Sequence, residues 1–582
     1  MKQNHIYHSI PRWGIIASVV VALGLTSCMD TTVLPADKTI EEDFWKTKSD
    51  VQLMVTGSYT QLLNANTLTR MLLWGELRSD ELNLNTTPTG TIPTALEEIN
   101  SADIQNTNTF CDWSSIYSVI NNCNVVLSHA EQVMSIDPSY TQGDYLVDRS
   151  QMLALRALCY FYLVRAYRDV PYSDVAFMNS SQDLQIPQQA PATVLEHCIT
   201  DLKEAAQNAI SPDGYSDWRK VGYINRDGIY SLLADIYLWR ASINHDATDY
   251  QACVDACQQV IQSKQALYPK DALDETASDY PLETGESAFT KIFVNGNSKE
   301  SIFELQYDGS SNSNTSVCQY YYMYSKSTTH GYTYAAPIFS GVGSSKVYQK
   351  VYDYRYWNNT YDVGNEQMEN FDVRKMVTSS TSTVNPLSSP TAFKRTAEGR
   401  AYANFAQNWI VYRLSDVMLM EAEARVQLAA SDNDIQLRQA FNLVKEVNTR
   451  SLAQASDSIK YASYASVSNM EQLVLQERQR ELCFEGKRWF DLMRYNYRHI
   501  TGSDLTKTLY ELNAAGQEFP RNYSDMLSLV AVKYGSSGSG VTAKMRTEPL
   551  LYLPILQSEL KVNSSLKQNP AYNSDDEYEK NY

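Results

Sequence analysis

The chain has 582 residues, 43% of them hydrophobic, and a formal net charge of −18. That is enough apolar material for two to four average domains or one large helical array, and so negative a surface repels nucleic acid and anionic lipid headgroups, so no nucleic-acid role is expected. No HExxH, P-loop, GxSxG or strand-borne GxGxxG pattern is present, which removes the familiar catalytic and metal-dependent routes.

At the start, Lys2 and Arg12 supply positive charge ahead of an apolar run from Gly14 to Leu25. The run is too short to cross a bilayer but suits the h-region of a secretory signal. It ends in Leu25-Thr26-Ser27-Cys28, which resembles the lipobox of bacterial lipoproteins, where the cysteine is acylated (with palmitate among the chains) and becomes the first residue. Residues 1–27 are therefore expected to be a signal peptide, with Cys28 lipidated and residues 28–40 a tether. Each buried CH₂ of such chains contributes about 0.8 kcal/mol, so the membrane would hold the protein without being spanned. No later stretch is long and apolar enough to span it. The remaining cysteines form no CxxC pair; Cys159, Cys253, Cys257 and Cys483 sit in apolar helical patterns and are expected to be buried free thiols.

Residues 41–265 read as helical. Leu153, Ala157, Tyr160, Phe161 and Val164 recur at three-to-four-residue intervals and predict a helix over Gln151–Arg168, ending before Asp169-Val170-Pro171. Helices are also predicted over Pro191–Ile210, Asp227–Ile243 and Tyr250–Ser263. Residues 266–408 lose this period and gain Ser, Thr, Asn and Gly, and twelve of the 41 tyrosines fall between Tyr307 and Tyr361. Ser301–Tyr307 reads as a strand, and the alternations Tyr320/Tyr322/Tyr324 and Tyr352/Tyr354/Tyr356 read as extended segments. In residues 409–582 helices return: Leu414–Leu428, Ile435–Arg450 and one long helix over Met470–Tyr495. The fold class expected is mainly α, a degenerate tetratricopeptide-like helical array with a loop- and strand-containing insert.

In these helices the chain resembles a known family. Gln476 to Leu492 (QERQRELCFEGKRWFDL) is similar to the ERRxELxFEGxRWFDLxR signature of the SusD/RagB family. The closing Tyr552-Leu553-Pro554-Ile555, Ser558-Glu559-Leu560 and Leu566-Lys567-Gln568-Asn569-Pro570 resemble that family's ending, with Leu556 in place of a proline and Ala571 in place of a glycine. Ala154-Leu155-Arg156-Ala157 through Tyr167-Arg168-Asp169-Val170-Pro171 resembles another of its motifs, with Arg168 where glycine is usual. Trp113, Tyr117, Asn122 and Asn124 fit a further helix motif, and Tyr412–Asp416 with Glu421–Ala424 fit one more. The charged signature invites an acid/base reading. Yet Arg478, Arg480, Glu481, Glu485, Arg488 and Asp491 at helical spacings read better as a partly buried ion network around inward-facing Phe484, Trp489 and Phe490.

The resemblance implies an outer-membrane lipoprotein of the Bacteroidetes, facing the cell exterior and lying on a SusC-like TonB-dependent transporter. It implies capture of oligosaccharides, or of peptides in some members, on loops of the helical scaffold, and no enzymatic activity. A sugar offers an apolar C–H face and a rim of hydroxyls, which aromatic rings and polar side chains cover. The candidate ligand residues are Tyr320, Tyr322, Tyr332, Tyr334 and Trp357, with Asp80, Arg374 and Tyr402 as polar or aromatic partners. For Asp80 an internal ion pair or a helix end is the rival reading; for Arg374 it is an ion pair with Asp372 or Asp362. Between Glu81 and Phe110 the chain has no aromatic residue. No cofactor or metal is expected; clustered Asp and Asn in the insert fit a Ca²⁺ site and turn chemistry alike. A surface glycosidase using two carboxylates and a purely structural scaffold are the remaining alternatives.

Overall fold

The structure, a computed structural model, describes residues 44–84, 92–179, 181–271, 278–284, 288, 290–321, 332–335, 406–451, 458–514 and 524–572. The chain divides into two units, Met1–Lys46 and Thr47–Tyr582. In the first, the rings of Phe44 and Trp45 meet edge to face. The second carries the helices and strands and is mostly helical.

Several helices begin where the sequence supplies a side-chain cap. Thr47 and Asp50 form a reciprocal capping box that starts α1 (Lys48–Leu62), and Asn64 caps α2 (Ala65–Glu76). After β1 (Leu82–Leu84) and α3 (Thr94–Asn100) comes α4 (Ser114–Ile136), then α5 (Gln142–Tyr167), opened by a Thr141/Asp144 capping box. Two short strands, β2 (Val170–Pro171) and β3 (Gln188–Gln189), pair antiparallel, and α6 (Pro191–Asn208) carries proline in its first turn. Next come α7 (Arg219–Gly222), α8 (Arg226–Asn244) and α9 (Ala247–Leu267). The predicted helices in this half are present. That over Gln151–Arg168 begins nine residues earlier than its apolar pattern shows, at the capping box.

The chain continues through β4 (Ser301–Leu305), α10 (Thr315–Tyr321), β5 (Thr333–Ala335) and β6 (Trp409–Arg413). β4 pairs antiparallel with β6, Leu305 opposite Trp409 and Ser301 opposite Arg413, and every residue of both strands is buried. The strand read at Ser301 is thus present. The extended reading of Tyr320 is not: Asn314 accepts from the Val317 amide and starts a helix there, and Ser316 binds back to the Ala65 carbonyl. Tyr322, Tyr324 and Tyr352–Tyr356 lie outside the described residues. Beyond β6 are α11 (Leu414–Leu428), α12 (Ile435–Ser451), α13 (Val467–Leu482), α14 (Arg488–Arg498), α15 (Leu509–Ala514) and α16 (Ser524–Val532). Successive helices pack on one another: α4 on α5, α5 on α6, α8 on α9, α9 on α11, α11 on α12 and α13. The described cysteines, including Cys159, Cys253, Cys257 and Cys483, are free and buried.

The single long helix expected over Met470–Tyr495 is two helices. Phe484 and Gly486 both take positive φ (64° and 72°), which ends α13. The exposed amides are met by one carboxylate: Glu76 accepts from the Phe484 amide at 2.9 Å and from that of Lys487 at 3.1 Å. The backbones touch at this point. A Cβ on Gly75 would sit 1.7 Å from the Gly486 carbonyl oxygen, so no side chain fits there.

Charged side chains fill the space between α11, α13 and α14. Arg413 binds Glu485 at 2.8 Å and also Glu481; Arg450 binds Glu481 and Glu300. Arg478 pairs with Asp491 (2.9 Å) and Asp416 (3.0 Å), Arg494 with Glu423 and Asp491, and Arg498 with Glu423 and Glu471. Burial opposes the charge of Glu423, but Arg494, Arg498 and Arg478 outweigh it and hold its carboxyl below the usual range. The ion network read from the spacings is present, fully buried, and wider than the signature itself.

Candidate functional site

The segment Leu77-Arg78-Ser79-Asp80-Glu81 leaves α2 and leads into β1. Every one of these residues is buried. Arg78 reaches the Leu551 carbonyl at 2.6 Å and lies over the Trp489 ring. Lys533 donates to the Leu77 carbonyl at 2.7 Å; burial pushes its ammonium down to about 7, against the pull of Asp80. Burial, and then the neighbouring charge of Glu76, pushes the Glu81 carboxyl well above its ordinary value.

Asp80 belongs to this interior. It is 0% exposed, receives both arms of the Arg488 guanidinium at 2.8 and 3.0 Å, and accepts from Gln479 at 2.9 Å. The expectation that it touches ligand is therefore corrected in favour of its rival: a carboxylate in a dry bidentate pair has no edge left for a ligand.

β1 pairs antiparallel with β5, Asn83 opposite Tyr334 and Leu84 opposite Thr333, so segments some 250 positions apart form one ribbon. Thr333 donates to the Tyr320 carbonyl at 2.7 Å and ties the ribbon to α10. α10 is tied in turn to α2, where Thr69 donates to Ser316 at 3.0 Å. The Tyr320 ring, buried at 6% exposure, is flanked by Tyr332 at 5.9 Å and, edge to face, by Phe110 at 6.1 Å. The last two rings are half-buried.

Phe110 is held from beneath. Trp74 donates to its carbonyl at 2.9 Å, Arg70 to the carbonyls of Thr109 (2.8 Å) and Asp112 (3.0 Å), and the Tyr167 hydroxyl to that of Cys111 (2.7 Å). Its amide is capped by Asn108. A ring fixed by so many backbone contacts loses little freedom when a ligand stacks on it.

The structure thus brings Tyr320, Tyr332 and the backbone of Tyr334 together, and removes Asp80. Cys28, Tyr322, Trp357, Arg374 and Tyr402 lie outside the described residues. Phe110 was not among the predicted site residues. Its signal was positional: it ends the long aromatic-free run that begins after Glu81, so it is the first ring available to that loop. Among the described residues no three His, Cys, Asp or Glu side chains are grouped to hold a metal, and no helix is long and apolar enough to cross a membrane. Chemically the arrangement offers stacking surface with hydroxyl groups at its edge, and no nucleophile–base pair.

Residues 351–572 match the model of the SusD family, and residues 41–238 match one described as starch-binding, associating with the outer membrane. Among curated relatives, SusD-like protein P38 of Formosa agariphila is 23% identical over 508 residues, covering 82% of this chain and 90% of that protein. SusD-like protein P2 of the same organism is 24% identical over 505 residues with the same coverage. A solved SusD superfamily protein from Parabacteroides distasonis superposes with a TM-score of 0.64 at 21% identity, covering 90% of this chain and 99% of that one. One from Bacteroides thetaiotaomicron gives 0.61 at 19% identity, covering 91% and 99%. At these identities the structural likeness establishes the fold.

Proposed function

The chain belongs to the SusD/RagB family, and from that premise we propose that it captures oligosaccharides at the cell surface and passes them to a SusC-like TonB-dependent transporter. The reading is supported at its coarse level by the match of residues 41–238 to a starch-binding, outer-membrane-associated family. The observation that carries it in this chain is the pair of half-buried rings, Phe110 and Tyr332, each about one ring's width from Tyr320 at 6.1 and 5.9 Å. The C–H face of a sugar stacks on these rings while tyrosine hydroxyls meet its hydroxyl rim. Tyr322, Tyr334, Trp357, Arg374 and Tyr402 complete the site in this proposal. The function is binding without turnover. Anchoring through acylated Cys28 accounts for outer-membrane association without a spanning segment.

The test is retardation of the unlipidated protein in gels containing plant, host and microbial glycans, followed by calorimetry on the polysaccharide that retards it. Binding of one glycan class, with no shortened product, and its loss in Trp357→Ala and Tyr332→Ala, is the expected result. Release of product would make the protein an enzyme. Absence of any glycan binding together with capture of peptides would transfer the same scaffold to peptide uptake. Cys28→Ser is expected to move the protein from the membrane to the soluble fraction; unchanged fractionation would contradict lipid anchoring.

A further inference from the structure

Far from β1 in sequence, the C-terminal segment builds a second concave surface. A cleft of ≈ 220 Å³ opens between the start of α15 and residues 553–570, with Pro187 and Gln188 on its far side. Leu553 and Ile555 are buried beneath it and, with Pro187, make one wall apolar. At the rim stands Tyr510, a large side chain left 50% exposed.

The walls are fixed before anything binds. The Leu509 amide donates to Asp169 at 2.5 Å, and the Thr508 amide and hydroxyl both donate to one oxygen of Glu511, at 2.7 and 2.8 Å. Across the cleft the Lys567 amide donates to Gln188 at 2.8 Å, and Gln188 donates to the Asp169 carbonyl at 3.2 Å. These bonds leave the second oxygen of Glu511, the Ser565 hydroxyl and the Lys567 ammonium at the opening. That ammonium sits over the Tyr510 ring, 5.0 Å from its centre, and has no hydrogen bond among the described residues, so a sugar would meet the ring beside it and not beneath it. One apolar wall, one exposed aromatic ring, and a rim holding a donor, an acceptor and a hydroxyl form the complement of a pyranose, whose hydroxyls each donate and accept. The volume falls below the roughly 300 Å³ at which drug-sized pockets begin, so the cleft holds one ring and not a chain.

We propose that this cleft is a second carbohydrate subsite, taking a single sugar residue against Tyr510 with Glu511 and Lys567 on its hydroxyls. The proposal rests on the glycan-capture reading and deepens it: two sites on one protein hold a polymer by effective concentration, with no tighter contact at either.

Saturation-transfer NMR on the folded, unlipidated protein with methyl glycosides of glucose, galactose, mannose, xylose and N-acetylglucosamine tests it. At least one glycoside should show transfer in the wild type and in Tyr332→Ala. In the Tyr332→Ala background that transfer should be lost when Tyr510→Ala or the cleft-filling Ser565→Trp is added, both with unchanged melting temperature. Transfer that survives either added substitution in that background, or its absence there for every glycoside, overturns the subsite. Glycan-gel retardation of the wild type reports separately on capture. Retardation without Tyr510-dependent transfer leaves capture standing and removes the cleft, while transfer without retardation keeps the cleft and removes polymer capture.

Discussion

Between Trp409 and Arg498 the molecule buries guanidinium and carboxylate groups in pairs; in the ribbon of β1 and β5 with α10, its interior is aromatic and two rings reach solvent. The first region is the more conspicuous in sequence, because charged residues at helical spacing resemble catalytic machinery. Its charges are nevertheless consumed by one another: Arg413, Arg478 and Arg494 each hold two or more carboxylates and are at most 2% exposed. The second region spends few charges and keeps surface available. A dense motif can thus be a clamp, while the proposed ligand site is marked by rings that stay half-exposed.

The largest effect expected from breaking the clamp is in Arg413→Ala. It would take from Glu485 its Arg413 partner and leave Glu481 to Arg450 in a buried interior, with Glu300 3.7 Å from the missing guanidinium. Removing one partner of a buried pair costs about 3–5 kcal/mol, and here two pairs share the cation. Urea denaturation should show a collapse of the midpoint or no folded baseline; a midpoint near that of the wild type would deny the clamp. Asp80→Ala comes next, within the same range, since it leaves only Arg488 uncompensated and that residue keeps the Leu475 carbonyl. The folded fraction should bind glycan as before. Lost affinity at unchanged stability would return Asp80 to the ligand site.

A smaller, pH-dependent effect sharpens the boundary between the regions at Lys533, beneath β1. Its pKa falls from 10.5 in the unfolded chain to about 7 in the fold. Between those values the unfolded chain holds a proton that the folded one lacks, so the lysine's contribution to stability rises with pH across this window and is flat below it. The unfolding free energy of the wild type minus that of Lys533→Met should therefore climb from pH 7 to pH 10. A constant difference would show that Lys533 titrates alike in both states.

How much of this was legible beforehand follows from the range of the forces involved. Leu414–Leu428 is bounded as its pattern predicts, because a helix is written in residues three and four apart. The break at Cys483–Lys487 was not, since it depends on Glu76, some 400 positions away, meeting two amides. Arg168 shows the same limit. It takes φ 68° where the resembled motif has glycine, and the strained conformation is held by Glu548, Asp169 and the carbonyl of Asp504, all contacts of the folded state. In the candidate site, tyrosine density pointed to Tyr320 and Tyr332. Phe110 and the burial of Asp80 depend on which side chains sit beneath β1 and on the pairing of β1 with β5, which no local pattern records.

The division between clamp and binding surface is tested most directly by calorimetric titration of Tyr332→Ala with the glycan that retards the wild type. The aromatic pair contributes about 0.5–1.5 kcal/mol beyond the area it buries, and the Tyr332 ring is only half-buried, so the variant should stay folded. The account predicts a folded protein whose binding heat has vanished. A folded protein that binds the glycan as tightly as the wild type would contradict it.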